Sequence, residues 1–170
     1  MIININYKQL TINNKNQKIT QERWRLEMSK IAVVYWSGTG NTEAMANLIA
    51  DGIKEAGAEV EVATSDCFGI DDVDNYEKIV LGCPSMGDEE LEDSEFEPMY
   101  SSIKPKLNGK KVALFGSYGW GECDWMRDWE SDAKDAGAVL ISEEGLTVNE
   151  TPEGDACDAC KEYGKKIAQA

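Results

Sequence analysis

The sequence predicts an α/β fold in which a parallel β-sheet lies between two layers of helices. Short apolar segments alternate with helical segments from residue 31 to residue 168, which is typical of a parallel sheet with crossover helices. The first apolar segment, 31–35, has polar residues only at its borders and suits a strand that is covered on both faces. Gly57, Pro105 and Gly137 follow helical segments and mark where those helices end.

Five strands and four helices are predicted within this region. The strands are expected at 31–35, 59–63, 78–82, 111–117 and a fifth made of 138–142 with the adjoining 145–148. Helical spacing predicts helices at 41–56, 95–103, 124–136 and 156–168. Ligands of such sheets bind outside the carboxyl ends of the strands, so the loops after strands one, three and four form the candidate site.

Residues 1–27 differ from the rest of the chain. They are rich in Asn, Gln and Thr and hold five basic and two acidic residues, whereas the remainder holds 12 basic and 30 acidic residues. Two interpretations stay open: the true start is Met28, or 1–27 is a genuine polar tail without a fixed fold. The sequence thus predicts an N-terminal extension at 1–27 and one domain at 28–170.

Composition excludes several classes of function. The net charge is −15, and an acidic body repels nucleic acid and anionic membranes. The chain has no histidine, which removes the commonest general base and the commonest metal ligand, so no catalytic or metal site is expected. Five cysteines without a signal sequence or an apolar run of membrane length indicate a cytoplasmic protein with reduced thiols.

The loop after the first strand has the composition of a phosphate site. Two glycines allow a tight turn, hydroxyl side chains add donors, and a helix N-terminus follows. The loop residues are Ser37, Gly38, Thr39, Gly40, Asn41 and Thr42. A Walker loop requires a lysine where Asn41 stands, and a dinucleotide fingerprint requires a third glycine where Glu43 stands. A monophosphate held by neutral donors fits best; a Ser/Thr-rich turn with a helix cap is the alternative.

Two further loops carry large apolar residues with no helical partner. Met86 follows the third strand and Trp120 follows the fourth, and glycines flank both. A flat aromatic ring between them would account for both, since stacking on Trp contributes about 0.5–1.5 kcal/mol beyond burial and a sulfur–aromatic contact is comparable. Either side chain could instead pack at the edge of the core, but two such residues at one sheet edge favour a ring site.

The three loops together resemble the FMN-binding loops of clostridial-type short-chain flavodoxins, from about Ser29 to the C-terminus. The resemblance implies a flavodoxin-like three-layer sandwich with strand order 2-1-3-4-5 and non-covalently bound FMN. It implies that residues 37–42 hold the phosphate, that Met86 and Trp120 flank the ring, and that Glu89 accepts a hydrogen bond from the ring N3–H. The remaining residues that it assigns to the cofactor are Ser85, Gly87, Asp88, Ser117, Tyr118, Gly119 and Gly121.

The resemblance also gives the Gly87–Asp88 peptide a role in stabilising the neutral semiquinone. In relatives this peptide rotates and offers its carbonyl to the flavin N5–H after one electron and one proton are added. Rotation converts a type II turn into a type II′ turn, which needs positive φ at the first central residue, and Gly87 meets that need without steric cost. Asp88 at the second position is expected to tolerate the left-handed region in the type II form.

The expected function is one-electron transport at low potential. Seven of the ten residues at 88–97 are acidic, and such charge beside a flavin opposes its reduction. The same charge favours redox partners with basic docking surfaces, and the resemblance suggests pyruvate oxidoreductase or ferredoxin–NADP reductase. We expect a monomeric carrier and not an enzyme. An FMN-dependent quinone or flavin reductase is the alternative, and a flavin-free binding module is disfavoured by the Met86 and Trp120 loops.

Overall fold

The computed structural model describes residues 30–170, so the expectations for 1–27 and for a start at Met28 fall outside the described residues. Six strands are described: β1 (Ile31–Tyr35), β2 (Val60–Thr64), β3 (Lys78–Gly82), β4 (Lys111–Tyr118), β5 (Val139–Leu140) and β6 (Leu146–Asn149). Four helices are described: α1 (Asn41–Glu55), α2 (Phe96–Ile103), α3 (Asp124–Asp135) and α4 (Asp155–Gln169). No helix in this part of the chain is long and apolar enough to cross a membrane.

The sheet is parallel, with the predicted order β2-β1-β3-β4-β5 confirmed. Its strands are in register across the site edge, where Tyr35 pairs with Gly82 and Gly82 pairs with Phe115. The chain leaves β1 for one neighbour, β2, and then returns to the other, β3. The strand order therefore reverses between β1 and β3, and a ligand site is expected at the carboxyl ends of those strands.

The fifth strand is interrupted, which the sequence analysis did not separate into two elements. β5 lies beside the start of β4 and β6 lies beside its end, so both occupy one strand position. Between them the amide of Gly145 donates to the buried Glu130 carboxylate on α3, at 2.6 Å. A Cβ on Gly145 would lie 2.4 Å from Met126 Sδ, so α3 packs directly on this residue. At Gly145 these contacts with α3 take the place of strand pairing, whereas the amide of Ile141 still donates to the Val112 carbonyl of β4 at 2.8 Å.

Two hydrophobic clusters, one on each face of the sheet, form the core. One joins α2 and α3 to the sheet and includes Phe96, Trp125 and Trp129. The other joins α1 and α4 to the opposite face and includes Met45 and Tyr163. Because both faces are covered, every residue of β1 and β3 is buried, in agreement with their near-continuous apolar sequences.

The N-terminus of α2 is fixed by the buried carboxylate of Glu92. This carboxylate accepts hydrogen bonds from the amides of Ser94 at 3.0 Å, Glu95 at 2.9 Å and Phe96 at 2.8 Å, and from the Ser94 hydroxyl. Ser94 and the N-cap residue Glu95 precede the helix and Phe96 is its first residue, so the helix has no acceptor of its own for these amides. Most residues of the acidic segment 88–97 are exposed, but Glu92 is buried and stabilises the start of α2.

Candidate functional site

Four loops meet at the carboxyl edge of the sheet. The three predicted loops follow β1, β3 and β4, and a fourth follows β6. The Ser85 amide donates to the Ser117 carbonyl at 2.9 Å, which joins the second loop to the third at its base. Thr151 Oγ1 donates to Asn41 Oδ1 at 2.7 Å and links the fourth loop to the first. The structure thus brings the predicted site residues to one edge of the sheet.

The first loop presents free backbone donors at the start of α1. Gly40 precedes the helix with a φ of 91°, and its amide donates to Ser37 Oγ at 3.0 Å. The five other amides of the loop donate to no acceptor among the described residues: those of Ser37, Gly38, Thr39, Asn41 and Thr42. Unpaired amides at a helix N-terminus form a site for a phosphate group. The donor set of this chain therefore fits the phosphate predicted from the sequence.

A buried hydroxyl pair lies beneath this loop. Thr42 Oγ1 and Ser117 Oγ are 2.9 Å apart, and these residues are only 1% and 4% exposed. One hydroxyl proton is shared within the pair, so the other remains available to a ligand. The pair connects the start of α1 to the end of β4 and orients both predicted site residues.

The second loop is closed between Met86 and Glu90. Two backbone hydrogen bonds join these residues, at 2.9 and 2.8 Å, so the turn is one residue longer than the expected four-residue turn. Gly87 has a φ of 49°, as the type II′ form requires. The second left-handed residue is Glu89, with a φ of 59°, and not Asp88, because the longer loop needs its reversal one position later.

Met86 and Trp120 are exposed although both are large and apolar. Met86 is 38% exposed and Trp120 is 63% exposed, and they lie on adjacent loops of the same edge. Burying such side chains is ordinarily favourable, by about 1.5–3 kcal/mol for a residue of this kind. Their exposure in this chain fits side chains that receive a flat ring.

The third loop contributes mainly through its backbone. The Tyr118 ring packs against Trp125 at a centroid distance of 6.1 Å, on the α3 side of the sheet. The Tyr118 carbonyl accepts from the Glu150 amide at 2.8 Å and from Asn149 Nδ2 at 3.2 Å. A Cβ on Gly119 would have no atom within 4 Å, so the backbone of this residue is open to a ligand. The aromatic side chain that faces outward from this loop is Trp120.

The fourth loop was not predicted from the sequence. Asn149 and Thr151 hold the third and first loops by the hydrogen bonds given above. Glu150 between them has a φ of 56°, which turns the chain at the end of β6. This loop could have been predicted from its position directly after the last strand, since loops at the carboxyl edge of a parallel sheet share one site.

Cys83, at the start of the second loop, is not a reactive thiol. It is fully buried, and burial raises its pKa to about 12, although the Glu92 amide donates to its sulfur at 3.3 Å and opposes that shift. A thiol with such a pKa remains protonated at neutral pH, and the thiolate is the reactive form. Cys83 therefore supports the loop by packing.

The sheet is parallel and covered by helices on both faces. At its carboxyl edge, a loop with unpaired amides suited to an anion lies beside exposed Met and Trp side chains. These features define a mononucleotide-binding α/β protein. The flavodoxin family model matches residues 33–164. A flavodoxin of Megasphaera elsdenii is 51% identical over 140 residues, which cover 82% of this chain and 99% of that protein. A flavodoxin of Clostridium beijerinckii is 51% identical over 136 residues, covering 80% of this chain and 97% of that protein.

Solved structures give the same result. The solution structure of two-electron reduced Megasphaera elsdenii flavodoxin has a TM-score of 0.76 and covers 82% of this chain and 99% of that one. Oxidised flavodoxin 1 from Bacillus cereus, at 29% identity, has a TM-score of 0.73 over 83% of this chain and 98% of that one. This chain belongs to the flavodoxin family. It is an FMN-binding electron carrier, and its loops fit that cofactor.

Proposed function

We propose that this chain is a low-potential one-electron carrier that shuttles between redox enzymes with basic docking surfaces. The exposed pair Met86 and Trp120 beside the acidic segment 88–97 carries the proposal. A ring held between these side chains would have an edge at the protein surface, where a partner can approach it. FMN supplies the one-electron chemistry when bound, and the described residues bind and orient it.

The charge around the ring supports a low potential. The phosphate loop contains neutral donors alone, whereas residues 88–97 contain seven carboxylates. Negative charge added to the ring by reduction is opposed by these carboxylates. Each ~1.4 kcal/mol of such repulsion lowers a one-electron potential by about 59 mV. Raising the ionic strength screens the exposed carboxylates and should raise the potential.

An acidic groove next to the site supports basic partners. It has a volume of about 440 Å³, lies between the second loop, α2 and α3, and is lined by six carboxylates and the single ammonium of Lys104. Lys104 is already paired with Asp132 at 2.5 Å. Glu97 and Asp128 on opposite walls make no ion pair within residues 30–170. A surface of this charge speeds association with a basic partner, and salt reduces the effect.

We also propose that the chain acts as a monomer in the cytoplasm. All five cysteines are free, including the half-buried Cys123 and the exposed Cys67, which supports a reducing compartment. Pyruvate oxidoreductase and ferredoxin–NADP reductase are the partner classes that the family resemblance suggests. The alternative function is the enzymatic reduction of quinones or free flavins, and the following experiment distinguishes it from electron transport.

Stepwise anaerobic reduction of the FMN-loaded protein, followed by its visible spectrum, tests this proposal. We expect a long-wavelength half-reduced stage between the oxidised and fully reduced spectra, and a second midpoint potential that rises with salt. Direct two-electron bleaching by NADPH alone would instead identify a reductase. A spectrum without flavin bands after incubation with FMN would contradict our assignment of the loops.

A further inference from the structure

Glu89 joins the loop of Met86 to the loop of Trp120. Its carboxylate accepts a hydrogen bond from the Cys123 amide at 3.1 Å and another from the Asp124 amide at 2.7 Å. These amides lie at the start of α3, where the helix provides no acceptor of its own. A half-buried side chain of the second loop therefore caps the helix that follows the third loop.

The third loop is shaped to receive this carboxylate. A Cβ on Gly121 would lie 1.7 Å from Glu89 Oε1, so the carboxylate occupies space that only glycine leaves free. Gly121 has a φ of 96° and Cys123 has a φ of 63°, and these two left-handed residues turn the chain around the carboxylate. A non-glycine residue such as Cys123 rarely adopts this conformation unless its surroundings require it.

No other hydrogen bond joins these two loops beyond the strand ends. The second loop is otherwise closed on itself by the Met86–Glu90 pair. In the third, the Glu122 carbonyl accepts from Arg127 on α3 at 2.6 Å. Between 86–90 and 119–124, the hydrogen bonds of the described residues are the two that Glu89 accepts. Beyond the Ser85–Ser117 bond at their base, a single side chain therefore accepts the hydrogen bonds that join the two loops.

We propose that Glu89 is a positioning residue that sets the separation of Met86 and Trp120 before FMN binds. With the two loops tied, the ring enters a slot that is already formed, and less ordering is needed on binding. This role is compatible with a hydrogen bond from the ring N3–H, because each carboxylate oxygen accepts more than one donor. Glu89 has this positioning role before FMN binds, so the role differs from a contact that Glu89 would make only with the bound ring.

Amide hydrogen exchange in the FMN-free protein tests the proposal, with Glu89→Gln as the variant. Glutamine has one acceptor oxygen and turns an NH₂ group toward the second amide, so at least one of the two bonds is lost. We expect exchange at Cys123 and Asp124 to become about tenfold faster, as the loss of one charge-assisted hydrogen bond predicts. Circular dichroism verifies that the variant is folded.

Glu90→Gln is the matched control, because it removes the same charge from the adjacent, exposed position that makes no bond to α3. Its exchange at Cys123 and Asp124 should equal that of the unmodified protein, and its FMN association rate should be unchanged. Glu89→Gln should slow FMN association. Unchanged exchange in Glu89→Gln, or equal acceleration in both variants, would overturn the proposal, whether or not the protein carries electrons as proposed.

Discussion

We propose that Gly87 links backbone conformation to the redox function. Its φ of 49° lies in the left-handed region, and a Cβ there would have no atom within 4 Å. A side chain at this position would therefore be disfavoured by backbone strain and not by collision. Strain of this kind amounts to about 1–2 kcal/mol for a residue with a Cβ.

Gly87→Ala should lower the midpoint potential of the first one-electron step. The family resemblance places the Gly87 carbonyl on the flavin after that step, in the turn that needs positive φ at this residue. A cost of ~1.4 kcal/mol that falls on the reduced form alone lowers the potential by about 60 mV. Potentiometric titration of the FMN-loaded variant measures this change.

Gly109→Ala provides the matched control for this substitution. Gly109 also has positive φ, 76°, and open space at the Cβ position, but it lies before β4, at the opposite end of the sheet. The control should lose stability to a similar extent and keep the potential unchanged. Equal potentials for the Gly87 variant and the unmodified protein would refute the role of the turn.

Among the elements, α2 depends on a carboxylate that lies outside it. Glu92 precedes the helix and accepts three amide hydrogen bonds from residues 94–96. Burial raises the pKa of Glu92, but the hydrogen bonds from the Ser94 hydroxyl and from these amides outweigh burial, so the pKa lies below its ordinary value of 4.5. The folded protein thus favours the ionised form.

Glu92→Gln should lower the free energy of unfolding by about 1–3 kcal/mol, the usual cost of leaving a buried donor without its acceptor. Because the folded pKa is depressed, the ionised carboxylate stabilises the fold fully above pH 4.5. That contribution is lost as the pH falls through the folded pKa. Urea denaturation at several pH values should therefore show the two proteins converging in acid.

Glu95→Gln is the control for the loss of charge on this turn. Glu95 is exposed and its amide, not its carboxylate, takes part in the cap. Its substitution should change stability by less than about 0.5 kcal/mol. A Glu92 variant as stable as this control at pH 7 would show that the cap contributes little.

The whole molecule depends on a close approach of α1 and α4. A Cβ on Gly52 would lie 2.0 Å from the Lys161 carbonyl oxygen, and one on Gly164 would lie 2.1 Å from the Ile49 carbonyl oxygen. Each helix therefore places a glycine against the backbone of the other. The helix that makes this contact, α1, begins directly after the loop at 37–42.

Gly52→Ala should destabilise the fold by about 2 kcal/mol, in the range of an overpacked core. Alanine in a helix interior otherwise stabilises the helix relative to glycine by about 0.8–1.0 kcal/mol. A net loss of stability would therefore result from the clash with α4. Gly69→Ala is the control, because its Cβ would meet only Asp72 Oδ2 at 3.9 Å. Urea denaturation compares the two, and a Gly52 variant more stable than the unmodified protein would contradict the packing argument.

Local sequence determined the elements and the character of the site. β1 and β3 have the predicted bounds, since continuous apolar segments between polar borders can be covered on both faces only within a sheet. The loop at 37–42 could be predicted as a phosphate site from local sequence, because its glycines, hydroxyls and helix start are adjacent in the chain, and its role stays a prediction. Met86 and Trp120 were recognisable as large apolar residues in glycine-flanked loops, whose positions after strands three and four follow from the chain order.

Tertiary structure alone decided which distant groups meet. Glu89 binds an amide 34 residues away, and Thr151 binds Asn41 across 110 residues. At the break between β5 and β6 the Gly145 amide binds Glu130 of α3, and no pattern within the strand indicates that partner. The spacing of apolar residues indicates which face of a helix or strand is buried. It does not indicate which two side chains meet, because a single hydrogen bond depends on the positions of two loops that are distant in sequence. For that reason the sequence predicted which loops bind the flavin, and only the folded chain showed which hydrogen bonds join those loops.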